Sequence, residues 1–181
     1  LERDVDRLVR NDRIAWGSSM IACKDADAMV TGNIRHYAAS INKLKKVVDP
    51  RPGEEIFGMT MINAKGKTIL VADTNVQDFP SAERLVAVSK SCVRVARLFG
   101  FDPKVAFLSH STFGNPVSKN TKHVRDAINF LKKEKVDFDF DGEMQPDVAL
   151  NPIYQETYPF SKIVGRANIL IMPALHSAAI S

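Results

Sequence analysis

Residues Ser109-His110-Ser111-Thr112-Phe113-Gly114-Asn115 follow an apolar run that begins at Lys104. Hydroxyls at Ser109, Ser111 and Thr112 offer short hydrogen-bond donors, and Gly114 lets the backbone approach a ligand closely. Loops of that makeup suit phosphate oxygens. Ser, Thr, Gly and Asn also build ordinary strand-to-helix turns, so the residue types leave both readings open. Gly32-Asn33-Ile34-Arg35-His36 is a second such group. There the Arg35 guanidinium could hold an anion in a fork, or stand as a surface arginine at a helix start. Asp141-Gly142-Glu143-Met144-Gln145 and Asp73-Thr74-Asn75 complete the set. Asp141 and Glu143 could be an acid/base pair or a metal site. The favoured reading is a turn at Asp141-Gly142, with Glu143 capping backbone groups. Asp73-Thr74 reads as a helix cap or a loop brace.

Two other patterns carry no chemistry. Lys65-Gly66-Lys67-Thr68 looks like the tail of a P-loop, but the position of the first glycine is Met61 and an apolar strand follows, so a hairpin turn is expected. The histidines are widely separated and none stands in a recognised hydrolase arrangement. No Cys/His spacing suits zinc, and Cys23 and Cys92 read as small buried residues. No metal site and no catalytic residue is assigned from the residues alone.

These groups must be positioned by the elements before them. Apolar spacing predicts one helix over residues 2 to about 23, a short buried strand over 28–32, and a second helix with Tyr37, Ile41, Leu44 and Val48 on one face. Asp49-Pro50-Arg51-Pro52-Gly53 breaks the chain. Strands over 55–63 and 67–72 flank the turn Ala64-Lys65-Gly66. Pro80-Ser81-Ala82-Glu83 starts a helix that Ser81 caps, with a stripe of Leu85, Val88, Cys92, Val95 and Phe99, and Gly100 ends it. A strand over 104–109 follows, then a helix capped by Ser118 or Asn120 with Val124, Ile128 and Leu131 inward. A strand at 138–140, a short helix at 147–150 and a strand at 168–172 close the pattern. This alternation predicts an α/β sheet, parallel in the main. Ligands of open α/β sheets bind beyond the carboxyl ends of the strands, where the four polar groups are expected to form one cleft.

The chain has 181 residues, 45% of them hydrophobic and 25% charged, an ordinary globular balance. The formal charge of +4 is scattered, without the basic stripe and stacking aromatics of a nucleic-acid surface. It suits a small phosphorylated ligand better. No apolar run is long enough to span a membrane, and no signal peptide opens the chain. It begins Leu1-Glu2-Arg3 and stops just after an apolar strand, so it is expected to be a fragment cut at both ends.

In the same loops the chain resembles a known family. Asp25-Ala26-Asp27-Ala28-Met29-Val30-Thr31-Gly32 is similar to a strand of phosphate acetyltransferases and their malic-enzyme-fused relatives. Ala72-Asp73-Thr74-Asn75-Val76 with Pro80-Ser81-Ala82-Glu83-Arg84-Leu85, Lys104 to Asn115, Asp141 to Leu150, and Gly165 to Pro173 resemble further blocks in the same order. Ser-Thr-Phe-Gly-Asn, Met144 and Met172-Pro173 lean toward the C-terminal domain of bacterial NADP-dependent malic enzymes.

The resemblance implies a three-layer αβα sandwich in a two-lobed fold similar to isocitrate dehydrogenases, with residues 1–181 a partial phosphotransacetylase-like domain. It implies a cleft for acetyl-CoA or CoA with phosphate, lined by Ser109, Ser111, Thr112, Gly114 and Asn115, with Asn33 and Arg35 across it. It further implies a cytoplasmic, homo-oligomeric, allosteric module. NADP and a divalent metal would serve an upstream part that converts malate to pyruvate. The alternative is a working phosphate acetyltransferase. Against it, the family's phosphate-gripping arginine is Asn42 here, and His176 and Ala179 replace an acid and an amide of the last block. A neutral amide cannot supply a charged fork.

Overall fold

The computed structural model describes residues 2–52, 54–74 and 76–180; Leu1, Gly53, Asn75 and Ser181 lie outside the described residues. The chain divides into two compact units, 1–54 and 55–181.

The first unit contains α1 (Glu2–Asn11), α2 (Arg13–Ala22) and α3 (Tyr37–Leu44). The single helix expected over 2–23 is two, because Asp12 leaves the helical path (φ −125°, ψ 113°) and caps the second. Its Oδ1 accepts from the Ile14 and Ala15 amides at 2.9 and 3.2 Å. Its Oδ2 pairs with Lys43 and, at 3.1 Å, with Arg35. Among the described residues of this unit, Asp12, Ile14, Ala15 and Ser18 are buried. The strand expected over 28–32 does not form. Val30 is fully exposed, and an apolar run without a neighbouring strand has no ladder to join. The next helix ends at Leu44, so Val48 lies beyond it.

The second unit is built on one five-stranded sheet. Its strands are β1 (Met59–Ala64), β2 (Lys67–Ala72), β3 (Lys104–Leu108), β4 (Asp139–Met144) and β5 (Ile169–Ile171), in the spatial order β1-β2-β5-β3-β4. β1 is antiparallel to β2, and the pairs β2–β5, β5–β3 and β3–β4 are parallel. The expected hairpin is present: Ala64 pairs with Lys67, and Lys65 and Gly66 both take positive φ, as a tight two-residue turn requires.

α4 (Ala82–Leu98) starts where Ser81 Oγ accepts the Arg84 amide at 3.2 Å. It stops where Gly100 takes φ +79° and Phe101 N reaches back to Ala96 O at 3.0 Å. Leu85, Val88 and Cys92 are buried, whereas Phe99 is exposed. Ser118 caps a 3-10 turn at Lys119–Thr121 that leads into α5 (Lys122–Glu134).

α4 and α5 cover one face of the sheet, packing Leu85, Cys92, Val124, Ile128 and Leu131 on Leu70, Val105, Phe107, Ile169 and Ile171. α6 (Pro146–Leu150) and residues Ile163 and Ala167 cover the other, over Val71, Ala106, Leu108 and Leu170. Helix, sheet and helix therefore form three layers. A short helix, α7 (Leu175–Ala179), follows β5. No helix among the described residues is long and apolar enough to cross a membrane.

Candidate functional site

β4 runs through the residues read as a turn. Asp141, Gly142 and Glu143 lie inside the strand, and the loop proper begins at Gln145. Phe107 pairs with Gly142 but Leu108 pairs with Met144, so β4 carries one extra residue at this point. Phe140 packs on the α4–α5 face and Met144 on the opposite one, a switch that strict alternation forbids and a bulge produces. Gly142 is required there. Its φ is +146°, and a Cβ would lie 2.6 Å from Phe107 O. The bulge brings Glu143 toward α5.

Glu143 is 1% exposed. Its Oε1 accepts from Ser111 Oγ at 2.6 Å and from Arg125 Nη1 at 3.1 Å. Arg125 also donates to Thr121 Oγ1 at 2.6 Å and to Ser118 O at 3.0 Å. Asp141 has different partners, the amides of Gly142 (2.9 Å) and Lys162 (2.7 Å). The two carboxylates brace separate segments and share no protein partner among these bonds. Among the described residues no cluster of three or more His, Cys, Asp or Glu could hold a metal ion.

The 109–115 loop is a small hairpin. Thr112 and Asn115 exchange two backbone hydrogen bonds, at 2.9 and 3.0 Å, around Phe113 (φ +49°) and Gly114 (φ +88°). Positive φ at both central residues is the geometry of a type I′ turn. A left-handed phenylalanine costs roughly 1–2 kcal/mol. That cost is offset locally: Phe113 N donates to Glu143 O at 2.7 Å, and its ring packs on Tyr158 and Phe160 with centroids 5.3 and 4.9 Å away.

The hydroxyls of the loop point inward. Ser109, Ser111 and Thr112 are buried. Ser111 donates to Glu143, Ser109 Oγ accepts the Ser111 amide at 3.3 Å, and Thr112 Oγ1 accepts the Gln145 amide at 3.2 Å. What faces outward is His110, Gly114 and Asn115. Beyond the Gly114 Cα, in the direction of a side chain, nothing lies within 4 Å.

The tips of the four parallel strands are tied in two pairs along the carboxyl edge, β3 with β4 and β2 with β5. Ser109 N donates to Met144 O (2.9 Å) and Gln145 Nε2 to His110 O (2.7 Å). Met172 N donates to Ala72 O (2.6 Å) and Leu175 N to Asp78 O (3.0 Å). His123 Nε2 lies 3.0 Å from Pro173 O, a carbonyl that can only accept, so Nε2 carries the hydrogen. The same ring packs on Phe79 at 4.5 Å. Asp73, after β2, accepts the Gly58 amide at 2.8 Å and lies 3.8 Å from the buried Arg84, which also bonds Ile56 O and Glu55. Burial lowers the Arg84 pKa. Asp73 is thus a brace, as its neighbourhood in the sequence suggests.

Of the expected site residues, Ser109, Ser111, Thr112, Gly114 and Asn115 come together in the second unit. Asn33 (φ +67°) and Arg35 belong to the first unit, both exposed, with Arg35 on Asp12. They follow coil, not the strand tip expected before them. Lys43, first among the causes, with the Ala15 and Ile14 amides and Arg35, holds the Asp12 carboxyl well below the usual carboxylate range, against the opposing effect of burial. Sequence reasoning missed Arg125 and His123, whose partners Glu143 and Pro173 are distant in the chain, and gave Gln145 no role beyond its place in the 141–145 group. The local signals are Thr121, four residues before Arg125, and Ser118, seven before it.

The sequence matches the phosphate acetyl/butaryl transferase family over residues 1–181. It is 44% identical to the NADP-dependent malic enzyme of Rhizobium meliloti over the whole chain, which spans 24% of that protein. It is 30% identical to the phosphate acetyltransferase of Nitratidesulfovibrio vulgaris, over 94% of this chain and 25% of that one. The chain therefore spans about a quarter of the curated relatives it matches. A solved phosphotransacetylase from Streptococcus pyogenes superposes with a TM-score of 0.85 at 27% identity, over 98% of this chain and 55% of that one. With strand order, layers and sequence in agreement, this chain belongs to the phosphate acetyl/butaryl transferase family.

Proposed function

We propose that this chain is the phosphotransacetylase-like domain of an NADP-dependent malic enzyme and serves it as a sensor of acetyl-CoA. The observation that carries the reading is the placing of four loop tips at the carboxyl edge of the parallel strands of one sheet, where α/β folds hold their ligands. The family supplies the occupant, CoA or acetyl-CoA with phosphate. The 44% identity with a malic enzyme over the whole of this chain supports that parent protein.

In this reading Gly114 and Asn115 meet the phosphate or thioester end of the ligand, held in place by Ser109, Ser111 and Thr112. The remaining length of such a protein carries NADP, a divalent metal and the conversion of malate to pyruvate, in a cytoplasmic homo-oligomer. Acetyl-CoA shifts that activity to the extent that its affinity differs between two states of the assembly. Calorimetry of acetyl-CoA binding to the full-length protein, paired with malate oxidation rates with and without it, tests this; absence of binding ends the reading.

The likeness to a solved phosphotransacetylase over nearly the whole chain favours a second reading, a working acyl transferase. Fixed donors would then stabilise the tetrahedral intermediate formed by CoA thiolate and acetyl phosphate. Asn42, exposed on α3 beside Lys43, supports the sensor instead, since it is neutral where the family grips phosphate with arginine. Robust acetyl-CoA formation from acetyl phosphate in a coupled assay would reverse the preference.

A further inference from the structure

We propose that Arg125 and Glu143 are positioning residues that hold the 109–121 connection as a pre-set arm, so that Gly114 and Asn115 present their donors without reordering. The pair touches the arm at four places. Glu143 takes the Ser111 hydroxyl on its side chain and the Phe113 amide on its carbonyl. Arg125 takes the Thr121 hydroxyl and the Ser118 carbonyl. The side chains bond only to each other and to residues 111–121, among the described residues.

The pair joins β4 to α5 through its own 3.1 Å bond, and every other bond of the two side chains goes to the connection. It closes both ends of a loop and leaves its middle outward. The planar guanidinium is needed because three acceptors on separate residues are met in one fork, which a lysine ammonium on a flexible stem does not reproduce. The β4 bulge exists at the same place, and it is what brings the Glu143 side chain to the arm. Phe113, in a backbone region that bulky residues avoid, stays there because its amide is fixed by the same Glu143. Strained residues over-determined by their surroundings recur at ligand-contacting sites.

The part of this inference that concerns ligand affinity rests on the acetyl-CoA reading; the part that concerns the arm does not. The test uses the full-length protein, as wild type, Arg125→Lys and Glu143→Gln, with amide hydrogen exchange of peptides covering 110–118 and calorimetric titration with acetyl-CoA. Arg125→Lys is expected to raise exchange in 110–118 at least tenfold over wild type while exchange in β3 and β5 stays within about twofold. Acetyl-CoA affinity is expected to fall roughly tenfold, the equivalent of the ordering cost of one side chain. Saturating acetyl-CoA should restore the lost protection.

Glu143→Gln keeps an acceptor for Ser111 without the charge and should show the same local pattern at smaller amplitude. It decides the matter if Arg125→Lys does not fold. Faster exchange spread evenly over the sheet, unchanged exchange in 110–118, or lost protection at unchanged affinity would each overturn the proposal. If wild type shows no acetyl-CoA binding, the sensor reading falls, and exchange in 110–118 alone decides whether the pair holds the arm.

Discussion

Replacing Gly142 by alanine tests the geometry that brings Glu143 to its place. The new Cβ would lie 2.6 Å from Phe107 O, 3.1 Å from Phe107 Cβ and 3.3 Å from Ile128 Cδ1. The first of these is backbone of β3, which is held between β4 and β5 and cannot swing aside. Two costs add. A φ of +146° is open to glycine and strained for alanine, about 1–3 kcal/mol. Overpacking against a fixed strand costs about 1–3 kcal/mol more. A destabilisation of about 2–6 kcal/mol follows, lowering the melting temperature by roughly 10 °C or more for a unit of this size.

Gly66→Ala is the control. Its φ is +71°, and a Cβ there meets nothing within 4 Å. Only the backbone cost remains, about 1 kcal/mol. Differential scanning calorimetry of both variants reads the difference directly. If they melt within about 2 °C of each other, the close approach of β4 to β3 is not real and the bulge argument goes with it.

Asp12→Asn keeps the α2 cap but loses the charge that Lys43 and Arg35 share. The folded-state pKa of Asp12 lies below its unfolded value, so its contribution is complete above about pH 4 and disappears as pH falls further. The wild type should therefore lose helical signal on acidification below about pH 4, and the variant, destabilised by about 1 kcal/mol at neutral pH, should lose less; circular dichroism at 222 nm reads it. Burial first, and Asp73 second, push the Cys92 thiol up to about 12. At pH 8 a maleimide should label the exposed Cys23 and leave Cys92 untouched until denaturant is added, as peptide mass mapping will tell; prompt labelling of Cys92 contradicts the packing of α4. Ser111→Ala removes a buried donor from Glu143 and should cost about 1–2 kcal/mol of stability in urea unfolding; loss of ligand affinity without loss of stability would instead make that hydroxyl a ligand contact.

The parts of this fold that were legible in the sequence are those whose cause is local. The hairpin turn at Lys65-Gly66, the Ser81 cap and the inward stripe of α5 depend on residues within a few positions of each other, and the structure contains all three. The parts that were not legible depend on distant partners. Asp12 breaks a helically spaced run because Lys43 and Arg35 satisfy it from α3 and the segment before it. Val30 sits in a convincing apolar run yet stays outside any sheet, since periodicity records what a segment can bury and not whether a neighbour exists. Asp141-Gly142 has the composition of a turn, and only the register with Phe107 reveals a bulged strand.

The hydroxyl-rich loop has the most to say about function, because its residues were found and their direction was not. Ser and Thr side chains beside a glycine suggest donors aimed at a ligand, but these three are consumed in fixing the loop to Glu143, to Gln145 and to one another. Arg125, which bonds the connection after the loop, is likewise committed to Glu143. The tip therefore offers neutral donors on a rigid mount, with its charge balanced beneath the surface. A neutral, pre-set mount reduces the entropy cost of binding and adds little charge selectivity. Charge for an anionic ligand must then come from residues outside this loop.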